Sequence, residues 1–134
     1  MSATHKSHSV GEYLQQAAHN LAFATDIRKN KPEYLDWAAT CLFYTAIHYI
    51  NAYFAELKIT IPRRHTSSGP TSLGRTNIVQ QDARLKPIYP QYRHLNDESR
   101  DAQYELKAVS ETDYDKFLFP KLQEIKNFII PKVK

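Results

Sequence analysis

The chain of 134 residues contains one cysteine, one methionine, one tryptophan and three glycines. A single cysteine, Cys41, excludes an internal disulfide and any multi-cysteine zinc site. It lies inside a helical pattern with no activating neighbour in sequence, so it reads as a small buried side chain. Three glycines are too few for a β-sandwich with many tight turns, and no glycine-rich phosphate loop occurs. HExxH and CxxC are both absent, and a nucleophilic serine lacks its strand–turn–helix context. His48 and His65 have no carboxylates around them suited to a metal cage, so neither a metal nor a cofactor is expected. The opening residues MSATHKSHS lack an apolar signal segment, and no lipidation motif follows, which sets a cytoplasmic location as the expectation.

What is present fits a compact helical protein. Hydrophobic residues make up 42% of the chain, and its length suits one domain with a single sizeable core. Residues 1–8 read as a polar tail and 9–134 as that domain. Nine tyrosines accompany the single tryptophan, and a tyrosine buries a ring while keeping a hydroxyl for a partner. The net charge of +4 and a pI near 9.1 are mildly basic, which suits contact with phosphate without requiring it.

The pattern is organised around residues 36–57. Leu35, Ala39, Leu42, Phe43, Ala46, Ile50, Phe54 and Leu57 recur at three- and four-residue spacing, the mark of a helix face turned into a core. The opposite side carries Asp36, Thr40, Tyr44, His48 and Asn51, with no formal charge between Asp36 and Glu56. Such a helix is surrounded by neighbours, and the polar side makes a membrane span the poorer reading. Trp37 and Phe43 are expected in the core or in a dimer seam.

Flanking elements follow from caps and breakers. Ser9 with Glu12 forms a capping box for a first helix carrying Tyr13, Leu14, Ala17, Leu21, Phe23 and Ala24 to about Arg28. Pro32 ends one helix and opens the next, so the first two should pack antiparallel. Residues 58–72 form a loop rich in proline, serine and threonine, made basic by Arg63, Arg64 and His65. A third helix is expected over 73–85, although Arg75 and Arg84 are too sparse for a DNA-reading element. A polar fourth covers 90–106 with Tyr92, Leu95, Ala102 and Leu106 inward. A last begins after Ser110 to Asp113, and Pro120 should kink it or move its true start. The fold class is therefore an all-α antiparallel bundle of four to five helices.

Asp36-Trp37-Ala38-Ala39, then Phe43-Tyr44, Ala46 and His48, a His/Arg loop and Ser99-Arg100-Asp101-Ala102-Gln103-Tyr104 together resemble the HEPN family. The likeness runs from about Tyr13 to the C-terminus. It matches the "DWA…FYxAxH" and "SRxARY" motifs of stand-alone prokaryotic members, with Gln103 where the second motif has arginine. The resemblance implies a HEPN-like helical bundle, a homodimer, and binding of RNA or a nucleotide. It also implies pairing with a minimal nucleotidyltransferase in a toxin–antitoxin system.

Active HEPN ribonucleases place a histidine four to six residues after an arginine, and that spacing is missing here. The chemistry needs a histidine to move a proton at the ribose 2′-hydroxyl and an arginine to hold phosphoryl charge. His65, Arg75 and His94 are the catalytic candidates, and Arg63, Arg64, Arg100, Tyr104 and His48 the binding candidates. The expected function is a HEPN-type nucleotide- or RNA-phosphate-binding module. A metal-independent endoribonuclease with a non-standard Arg/His site and a purely structural interaction domain are the alternatives.

Overall fold

Ser9 and Glu12 close the capping box that their spacing predicts. The Ser9 hydroxyl accepts the Glu12 N–H at 3.1 Å, and the Glu12 carboxylate accepts the Ser9 N–H at 2.8 Å. Helix α1 (Val10–Asn30) starts there, in a computed structural model that describes residues 8–58, 79–80 and 82–133. A 3-10 turn, Pro32–Tyr34, reverses the chain into α2 (Leu35–Glu56). The two helices are antiparallel, since Tyr13 near the start of α1 stacks on His48 late in α2 with ring centroids 6.4 Å apart.

α2 is the central helix. It packs against α1 and against both later long helices, and 15 of its 22 residues are buried, as few helices outside a core can be. Leu35, Ala39, Leu42, Phe43, Ala46, Ile50 and Phe54 are all in the core, as their spacing predicts, with Leu57 half-buried at its edge. The polar side is divided. Thr40 and Asn51 are buried, Asp36 and His48 half-buried, and Tyr44 exposed. The Thr40 and Thr45 hydroxyls donate to the carbonyls of Asp36 and Cys41, so burying them leaves neither hydroxyl unsatisfied.

Phe23 on α1 is exposed, against expectation. Trp37 is 56% exposed, which rules out the core as its place and leaves the dimer seam as an expectation. Trp37 and Tyr44 are seven residues apart, two helical turns, and mark a side of α2 that is exposed among the described residues.

Apart from Lys58, the loop over 58–72 lies outside the described residues with most of the expected helix over 73–85, and with them Arg63, Arg64, His65 and Arg75. Val79 and Gln80 are helical, but the chain turns at 83–85, so that helix ends earlier than the sequence suggests. The reason is local. The Asp82 carboxylate accepts the Arg84 backbone N–H at 2.8 Å and its guanidinium at 3.0 and 2.8 Å, a side-chain alternative to helical bonding. That pairing also holds the Asp82 carboxyl below its ordinary range.

A second 3-10 turn, Lys86–Ile88, leads into α3 (Tyr89–Tyr104), which buries Tyr92, Leu95, Ser99 and Ala102 against α2. The helix stops at Tyr104. Leu106 has a left-handed φ of 56° and is 89% exposed, which corrects its inward assignment. Ser110 and Asp113 form a second capping box, and the segment continues through a π turn, Tyr114–Leu118, into α4 (Phe119–Ile129). Pro120 accounts for the π turn. Its ring would press on the carbonyl four residues back in a regular helix, and a widened turn relieves that contact. The Phe119 N–H accordingly reaches the Tyr114 carbonyl, five residues away. Among the described residues all regular structure is helical, and no helix is long and apolar enough to cross a membrane.

Candidate functional site

Small polar residues keep α2 and α3 from closing completely. α3 presents Ser99 to α2 where a leucine would fill the space, and α2 presents Thr40. Beside them lies an open groove of about 460 Å³ lined by Phe43, Tyr44, Asn96, Ser99, Arg100, Gln103 and Tyr104. Its floor is tied together by Gln103, whose amide nitrogen donates to Thr40 Oγ1 and to Ser99 Oγ, each at 3.1 Å. Its walls are aromatic. Tyr44 is 42% and Tyr104 73% exposed.

Arg100 is exposed and makes no ion pair with any described residue. It stands one helical turn before Tyr104 on the same face. On its outer flank Asp97, Asp101, Tyr104 and Glu105 share a further cavity with it. Among the described residues the groove carries one cation, bordered by carboxylates on one side and by rings and amides on the other. Such a site takes a single anionic group positioned by stacking and hydrogen bonds.

A separate cavity of about 530 Å³ opens between α1 and α2, lined by His8, Glu12, Tyr13, Gln15, Gln16, His19 and His48. His8 stands edge-on to Tyr13 at 5.6 Å, and its Nδ1 lies 3.9 Å from a Glu12 oxygen. Among the described residues no group of His, Cys, Asp and Glu is arranged to hold a metal ion.

The binding candidates thus separate. Arg100 and Tyr104 share the α2–α3 groove, while His48 belongs to the α1–α2 cavity. His94 is half-buried on α3 and lines neither. Arg63, Arg64, His65 and Arg75 lie outside the described residues. No histidine lines the Arg100 groove among the described residues, so they do not assemble an Arg/His pair there.

Sequence reasoning treated Gln103 only as a departure from arginine and gave Thr40 and Ser99 no role. The signal that could have found them is the uncharged polar stripe of α2 at Thr40 and Tyr44, since a buried hydroxyl requires a partner from a neighbouring helix. Two groups in the interior are chemically quiet. Burial pushes the Cys41 thiol up, and burial pushes the Tyr114 hydroxyl far above its ordinary value, so both stay protonated at neutral pH. A scan against protein-family models, a search of curated proteins and a search of solved structures each give no match.

Proposed function

We propose that the protein is a HEPN-type nucleotide- or RNA-phosphate-binding module whose ligand lies in the α2–α3 groove. One observation carries this reading: an exposed arginine, Arg100, with no ion pair among the described residues, lines one groove with the rings of Tyr44 and Tyr104. The arrangement suits a nucleotide. A base stacked on an exposed tyrosine gains about 1–3 kcal/mol, and a guanidinium takes phosphate bidentately. The motif resemblance through Ser99, Arg100, Ala102 and Tyr104 points the same way.

The measurement is fluorescence anisotropy of labelled single-stranded RNA against salt concentration. Each phosphate neutralised on a single strand contributes about −0.7 to the slope of log affinity against log salt. Arg100→Ala should weaken binding and reduce the slope by about that amount. An unchanged slope would place the phosphate contact elsewhere. Cleavage makes the further demand of a histidine within about 3 Å of the 2′-hydroxyl. Metal-independent cutting of the same RNA in chelator, lost in His65→Ala or His94→Ala, would promote the ribonuclease reading.

The same reading includes a homodimer. Trp37 and Tyr44 expose two rings on one side of α2 among the described residues, and Phe23 exposes a third on α1. A second copy is the simplest occupant of such a face in a HEPN-type protein. Pairing with a nucleotidyltransferase rests on the resemblance alone.

A further inference from the structure

The floor of the groove has a hydrogen-bonding direction, and it is fixed by a relay that begins in the backbone of α2. The Thr40 hydroxyl donates its only proton to the Asp36 carbonyl at 3.1 Å. Its oxygen can therefore only accept, and the Gln103 atom 3.1 Å away must be the amide nitrogen. The second amide hydrogen goes to Ser99 Oγ, also at 3.1 Å. Both donors of the carboxamide are thereby used. Gln103 lines the groove, and no described residue donates to its carbonyl oxygen.

A free glutamine side chain can rotate its amide to offer a donor or an acceptor, whichever a ligand requires. This one offers an acceptor only. We infer that the Gln103 carbonyl oxygen reads the exocyclic amino group of a base held in the groove, so that cytosine and adenine are taken in preference to uracil. An amino group projects from the rim of its ring and brings an N–H to the oxygen without hindrance. Uracil has a carbonyl at the corresponding place, which faces the Gln103 oxygen as acceptor against acceptor. Its one ring N–H is recessed between two carbonyls. Asn96 lines the same groove, and Arg100 stays available for the phosphate.

This selectivity rests on the groove being the nucleotide site, and the test separates the two. Labelled octamers of cytidine and of uridine are compared by anisotropy at low salt. They are both pyrimidines of similar stacking area and differ along one edge: an amino group beside an N3 acceptor in cytosine, a carbonyl beside an N3–H in uracil. The full chain should bind the cytidine octamer about threefold to tenfold more tightly, the range of one net hydrogen bond. Gln103→Leu should abolish the preference and leave the salt slope unchanged. Thr40→Val removes the lone pair that orients the amide; it should shrink the preference while circular dichroism and salt slope stay as in the wild type.

Three results would overturn the inference. Equal binding of both octamers by the wild type would reject the base reading and leave the groove as a phosphate site. A cytidine preference that survives Gln103→Leu would move the selectivity to another residue. Failure to bind either octamer would reject the nucleotide site itself.

Discussion

Arg28 at the end of α1 and Asp115 in the π turn join across 87 positions of sequence. The guanidinium Nε and Nη2 donate to the two carboxylate oxygens at 2.8 and 2.7 Å, a bidentate pair. Nη1 reaches Glu111 at 2.8 Å, so one cation holds the start of the last helical segment against α1. A basic residue at a helix C-terminus is a generic end signal. Its partner here could not be read from spacing, because the pairing depends on where the π turn places Asp115.

The pair makes stability depend on acid in a defined direction. Hydrogen bonding from Arg28 holds the Asp115 carboxyl below its ordinary range in the folded protein. A depressed folded value contributes stability above the unfolded pKa of about 3.9, and that stability is lost as pH falls through the lower folded value. Both groups are solvated, so the effect should be small. Asp115→Asn should lower the thermal midpoint slightly at neutral pH and flatten the fall in stability below about pH 4. Melting curves of both proteins from neutral to acid pH check this. Parallel acid limbs would mean that the pair contributes nothing.

The second prediction concerns the centre of the core. Leu42 on α2 is fully buried where α2 meets its neighbours. Leu42→Ala removes apolar contacts and leaves a cavity, which should cost about 2–5 kcal/mol, a large part of the stability of a small domain. Urea unfolding with an unchanged m-value and a lower midpoint is the expected signature. A loss below about 1 kcal/mol would contradict the central place of α2.

The sequence made the main helices legible because each has a local cause. The apolar spacing of Leu35 through Phe54, the two capping boxes at Ser9 and Ser110, and Pro32 between the first helices all act within a few residues. Non-local contacts were not legible. Leu106 looked apolar and inward, yet the end of α3 at Tyr104 puts it in solvent. Trp37 falls within the central helix, but its azimuth places it on a side left exposed by the described residues. The groove was half legible. Arg100 and Tyr104 came from a motif on one helix, whereas the Thr40–Gln103–Ser99 tie required knowing which flank of α2 meets α3.

Cys41 provides a third test. It is half-buried, and desolvation pushes its thiol above the ordinary value. Thiolate is the reactive form, so at neutral pH the residue should react with a disulfide reagent more slowly than a free peptide thiol. The rate should keep rising above about pH 8.5, where an ordinary thiol is already half ionised. Fast stoichiometric labelling at pH 7 would show an activated cysteine, contrary to its surroundings.

The last prediction concerns self-association. Trp37 and Tyr44 lie two turns apart on the same side of α2, and Phe23 projects from α1. Aromatic rings are enriched at the centres of interfaces because each removes a large apolar area from water at a small entropic cost. If a second copy covers this side, Trp37 becomes buried in the assembly, and sedimentation at micromolar concentration should give twice the 15.6 kDa monomer mass. Trp37→Glu places a charge on each copy, close together if the face pairs with itself, and should return the protein to monomer. The helical circular dichroism should survive, because Trp37 is already 56% exposed within one copy. Tryptophan emission gives an independent reading, since Trp37 is the only tryptophan in the chain. It should shift to shorter wavelength as concentration drives association. A monomer at every concentration, with red emission throughout, would reject the dimer.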